Sequence, residues 1–126
     1  MLETAVVIDV DGQVLHWHAP PGATATALPD ARGLWEVLWI HRSRLGGVAH
    51  VHPGGAPVPS AVDLTTFAAC EAGLGRRLVW WIATATDLVA FVHAGPGRLD
   101  YHPRPHVVKD VAAWLPELRD RSLRGG

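Results

Sequence analysis

With 126 residues, 48% of them hydrophobic, the chain is long enough to fold as one domain that buries about two thirds of its unfolded surface. A formal net charge of −1 leaves no basic stripe for nucleic acid, and no run approaches the ~18 apolar residues of a membrane span. The lone Cys70 cannot form an internal bridge and no secretory pattern precedes the first apolar run, so the expected setting is a reducing cytoplasm and the expected partner a protein or peptide.

Thr4 to Val10 reads as a strand, Asp11-Gly12 as a tight turn and Gln13 to His18 as its hairpin partner, because Asp-Gly between apolar runs is a strong hairpin signal. His16 and His18 share a strand face, but no acid, cysteine or serine follows at ligand distance, so they read as ordinary exposed hairpin histidines. Ala19 to Leu28 is a loop. Pro29-Asp30 opens a first helix whose apolar face is Leu34, Leu38 and Leu45, and Gly46-Gly47 closes it. A strand carrying His50 and His52 follows, then a Gly/Pro-rich loop from Pro53 to Pro59. A second helix begins near Ser60, buries Leu64, Phe67, Ala68 and Leu74, and ends at Gly75. The continuous apolar run Leu78 to Ala83 predicts a central strand covered on both faces, its tryptophans in the core. Leu88 to Val92 and Arg98 to Tyr101 read as further strands around a Gly95-Pro96-Gly97 turn. Val107 to Arg121 reads as a last helix, interrupted or restarted at Pro116. The order predicts a mixed α/β (α+β) domain with a sheet flanked by helices.

Chemistry concentrates between Gly46 and Leu64. Histidines at i and i+2 on a strand point to the same side, so His50 and His52 converge on one point. Asp63 falls in the first turn of the helix that follows. Two imidazole nitrogens and a carboxylate, with a fourth position left to water, form an open catalytic zinc site, whereas closed structural sites use four protein ligands. Ser60-x-x-Asp63 is also a helix-capping pattern, which by itself accounts for both residues. Two glutamates stand upstream of this stretch: Glu3, heading the apolar run Ala5 to Ile8, and Glu36, which points away from the first helix's apolar face. His93, His102 and His106 lie near Pro or Gly and are assigned to surface or loop. Cys70 has the spacing of a small buried residue rather than a nucleophile.

The ordered set of strand His50-x-His52, Pro-Gly loop and Ser60-x-x-Asp63 opening a helix resembles the JAMM/MPN (Mov34/MPN/PAD-1-like) zinc metalloprotease family, in its prokaryotic JAB-domain branch, over most of the chain. The resemblance implies that His50, His52 and Asp63 bind zinc and that Ser60 helps stabilise an oxyanion. It also implies an upstream glutamate that activates water, a position Glu3 matches better than Glu36. The fold it implies is a curved, mostly antiparallel sheet with helices packed on it, a cytidine deaminase-like architecture. The activity it implies is hydrolysis of the amide bond after the C-terminal Gly-Gly of a ubiquitin-like protein, in deconjugation or precursor processing, with a ubiquitin-activating-like enzyme in the same pathway. Two readings of other classes stand beside it. One is a catalytically inactive MPN-fold binding or scaffold module. The other is a cupin, since Gly47-x-x-His50-x-His52-Pro53 matches that family's first metal motif, but a cupin requires an all-β barrel and a glutamate that is absent here. The last residues, Leu123, Arg124, Gly125 and Gly126, reproduce the Leu-Arg-Gly-Gly ending of ubiquitin. Coincidence is the simpler reading; the alternative is self-association, the tail lying in an active-site groove, its own or a neighbour's.

Overall fold

The computed structural model describes residues 3–18, 31–105 and 113–124. Its strands are β1 (Ala5–Asp9), β2 (Val14–His18), β3 (Leu45–Val51), β4 (Val79–Ala83), β5 (Leu88–His93) and β6 (Tyr101–Arg104). Helix α1 (Ala31–Ile40) lies between β2 and β3, α2 (Ala61–Leu74) between β3 and β4, and α3 (Leu115–Arg124) follows β6. The strands form one sheet in the order β2-β1-β3-β4-β5-β6. Every neighbouring pair is antiparallel except β3 with β4, whose parallel pairing α2 makes possible as the crossover. Pro103 sits in the edge strand β6, where a missing N–H costs least.

Strand alternation sorts the apolar side chains into two layers. Ala5, Val7, Val48 and Trp80 face α1 and α2, packing with Leu34, Leu38, Phe67 and Cys70. Phe67 stacks on Trp80 with ring centroids 4.2 Å apart. Val6, Ile8, Ala49, Val51 and Ala83 face the other way, against Trp114 and Leu118 at the start of α3. The mixed α/β class, the element order and the central position of β4 agree with the sequence reading. Open sheet and helices together exclude the all-β barrel that a cupin requires.

Three boundaries differ. The first helix stops at Ile40, a turn occupies residues 41–44, and Leu45 to Gly47 belong to β3. The glycine pair is therefore a close-approach feature rather than a helix cap. A Cβ at Gly47 would lie 2.1 Å from the Val79 carbonyl oxygen, and one at Gly46 would lie 2.6 Å from that of Asp9. Only glycine lets β3 pass between β1 and β4 there. The strand expected at Arg98 to Tyr101 begins instead at Tyr101, because Asp100 folds residues 95–100 into a turn, its carboxylate accepting the Gly97 N–H at 2.7 Å. The last helix starts at Leu115 with Pro116 in its first turn, where a missing N–H breaks no helical bond. The expected Ala19 to Leu28 loop, the Pro29-Asp30 helix start and residues 107–112 of the last helix lie outside the described residues.

Candidate metal centre

The β1–β3 register sets Ala5 opposite His50, and the Val51 N–H continues the pairing to the Thr4 carbonyl at 3.0 Å. One further step along this antiparallel ladder brings Glu3 to His52, with both side chains on the α2 side of the sheet. Asp63 reaches the same point from the first turn of α2. Donor atoms of Glu3, His50, His52 and Asp63 all lie within 4.8 Å of one another, the one such group of histidine, cysteine and acidic residues among the described residues.

Three donors are tight and one is set back. His50 Nε2 and His52 Nε2 are 3.0 Å apart, His52 Nε2 is 2.9 Å from Asp63 Oδ2, and His50 Nε2 is 3.3 Å from Asp63 Oδ1. Glu3 Oε1 stands 3.6 Å from His50 Nε2 and 3.9 Å from His52 Nε2. Ligands about 2.0–2.1 Å from a tetrahedral metal ion such as zinc are roughly 3.3 Å from each other, and the separations of the inner three, 2.9 to 3.3 Å, are close to that. With both rings protonated at Nδ1 alone, the two Nε2 atoms at 3.0 Å would oppose lone pair to lone pair. A proton or a metal ion between them removes that repulsion.

Each candidate ligand is held from behind. His52 Nδ1 lies 3.1 Å from the Ala56 carbonyl oxygen, which selects the tautomer protonated at Nδ1 and leaves the Nε2 lone pair facing the cluster. Asp63 Oδ2 accepts the Ser60 N–H at 2.9 Å, and the Asp63 N–H donates to Ser60 Oγ at 3.0 Å, so the capping box and the candidate ligand are one structure. His50 is buried with its ring edge-on to Phe67. Ser60 is exposed at the rim. Burial raises the pKa of Asp63, but hydrogen bonds from the two imidazoles outweigh it and hold the carboxyl far below its ordinary value. Burial raises that of Glu3; the histidines oppose the shift, the Asp63 charge adds to it, and it stays raised. Burial pulls His52 down, yet its bonds to Asp63 and the Ala56 carbonyl prevail and raise it.

The remaining candidates lie elsewhere. Glu36 is exposed on α1 and pairs with Arg32 at 3.4 Å. His16 is half-buried and His18 is buried, so the hairpin histidines are not the exposed pair expected, because they pair with Val7 and Ala5 on the side of the sheet that α1 and α2 cover. Neither joins the cluster. His93 ends β5, its Nε2 2.7 Å from the Gly97 carbonyl oxygen, and His102 is exposed on β6; His106 lies outside the described residues. Cys70 is buried, and burial followed by the Glu71 charge pushes its thiol up to about 11. Leu123 and Arg124 form the last turn of α3 on the opposite sheet face, Arg124 bonded to Glu117 and Asp120, while Gly125 and Gly126 lie outside the described residues. The Ala56 carbonyl had no signature in the sequence beyond the Pro57 and Pro59 that stiffen its loop. No helix among the described residues is long and apolar enough to cross a membrane.

No protein-family model matches the sequence, and no curated protein matches it.

Proposed function

We propose that this chain is a zinc-dependent metallopeptidase of the JAMM/MPN kind, hydrolysing the amide bond that follows the C-terminal Gly-Gly of a ubiquitin-like protein. One observation carries the reading: two imidazoles and one carboxylate at zinc-ligand spacing, with a second, partly protonation-prone carboxylate just behind them. His50, His52 and Asp63 hold the metal. Zinc in such a site supplies a Lewis acid for the scissile carbonyl and a water made acidic enough to lose a proton near neutral pH. Glu3 takes that proton at Oε1 and delivers it to the leaving nitrogen, its raised pKa making it both an adequate base and an adequate acid. Ser60 uses its oxygen to accept the Asp63 N–H and keeps its O–H to donate to the developing oxyanion. The C–N bond breaks, the carbonyl carbon keeps the water oxygen, and the products are a Gly-Gly carboxylate and a free amine. A diglycine suits the site because chains without Cβ atoms approach a metal most closely.

The test compares zinc-loaded wild type with Glu3→Gln and Glu36→Gln on two substrates, an isopeptide-linked ubiquitin-like conjugate and a linear fusion. Wild type and Glu36→Gln should cleave at least one substrate after Gly-Gly, and Glu3→Gln should bind zinc while losing about a hundredfold or more in turnover. Undiminished turnover in Glu3→Gln would overturn its role as base. Zinc binding without cleavage of either substrate would favour the scaffold module.

A further inference from the structure

A second site of different chemistry lies toward the far end of α2, a 14-residue helix about 21 Å long whose first turn holds Asp63. A cavity of about 540 Å³ opens there, lined by Glu71, Arg76, Arg77 and Arg98 with small residues of α2 between them. Its volume falls in the ordinary range of small-molecule sites.

Glu71, the floor of this cavity, cannot take a cationic ligand. Its carboxylate already accepts from Arg77 Nη1 and Leu78 N–H at 2.9 Å, Trp80 Nε1–H at 2.9 Å and the Tyr101 hydroxyl at 2.6 Å. Four donors fill its four lone-pair positions. The arginines are in the opposite condition. Arg77 spends one N–H on Glu71, and Arg76 spends one on the Arg42 carbonyl oxygen at 3.2 Å. These bonds orient both guanidinium groups and leave most of their five N–H donors unspent. Arg98 makes no ion pair or side-chain hydrogen bond among the described residues, yet its backbone is fixed in the turn that Asp100 organises. The arginines are not needed as helix caps either, since the Gly75 and Arg76 N–H groups already satisfy the Glu71 and Ala72 carbonyls. Arg76 and Arg77 also line an adjoining cavity of about 680 Å³ that includes Arg104 and His93.

We infer that this cavity binds a phosphoryl group carried on a small organic molecule. Three arginines lining one space, with one carboxylate neutralised from within, match an anion with three or more oxygens better than a carboxylate with two. The inference is independent of the metal reading.

The test is calorimetric titration of the full chain with inorganic phosphate, with a nucleoside monophosphate and with a single-stranded oligonucleotide, each at ionic strength matched with chloride. The monophosphate should bind at one saturable site per chain, more tightly than inorganic phosphate. Arg98→Gln and Arg76→Gln should each weaken it about ten- to a hundredfold, the range for one lost charged hydrogen bond. Both variants should keep the wild-type melting temperature and zinc content, Arg98 being exposed and Arg76 held only through a surface carbonyl. No saturable binding of the monophosphate would overturn the inference, as would binding indifferent to both variants. Inorganic phosphate binding as tightly as the monophosphate would overturn the organic half of the ligand. An oligonucleotide binding far more tightly, with steep salt dependence, would replace the pocket by a diffuse polyanion surface.

Discussion

His52 is constrained at both ring nitrogens, by the Ala56 carbonyl behind it and by His50 and Asp63 in front. Burial disfavours its cation, but these partners prevail and raise its pKa, so a metal must displace a proton to bind. Zinc affinity should therefore fall as the pH drops from neutral, and calorimetry in two buffers of different ionisation enthalpy should register proton release on binding. Equal heats in both buffers would show that the imidazole is already neutral. Tyr101 offers a check on the other buried network. Burial first, then its bond to Glu71, raises its pKa above the phenol value. Such a raised group contributes stability that is complete below the unfolded value near pH 10 and is lost as pH climbs through the folded value. The chain has one tyrosine, so tyrosinate absorbance should stay silent above pH 10 until the fold gives way. A normal titration near 10 would contradict the Glu71 contact.

Helix α2 is the element on which the site depends, for its capping box is also the seat of Asp63. That much was legible: Ser60, Asp63 and Gly75 are read from local rules about helix ends, and the two histidines from strand alternation. Glu3 was legible only as a preference over Glu36, because which carboxylate meets the histidines is decided by the β1–β3 register, a long-range pairing. The end of α1 was misread for the same reason. Gly46 and Gly47 resemble a helix stop locally, but the carbonyls of Asp9 and Val79 that demand glycine come from distant strands. Gly47→Ala should consequently cost about 1–3 kcal/mol or more, since its Cβ would meet backbone at 2.1 Å, against about 0.5 kcal/mol or less for Gly55→Ala, whose nearest neighbour is at 3.6 Å. Urea unfolding of the two variants checks the contrast, and equal stabilities would contradict the β3 placement.

Across the whole molecule the chemistry divides along α2, with carboxylates and imidazoles at its start and arginines at its end. The sheet's other face is closed by α3, which reaches the candidate metal centre through the turn after β4. Arg119 donates to the Thr84 carbonyl at 2.9 Å and to that of Asp87 at 3.2 Å, while the neighbouring Ala83 carbonyl takes the His52 N–H at 2.8 Å. Whether a metal sits at one point of this frame is read from crystals of zinc-equilibrated protein measured across the zinc absorption edge. One anomalous peak per chain is expected, about 2 Å from His50 Nε2, His52 Nε2 and an Asp63 oxygen, and no such peak in His52→Ala. A peak elsewhere, none at these residues in the wild type, or an undiminished one in His52→Ala would contradict a metal held by these three residues.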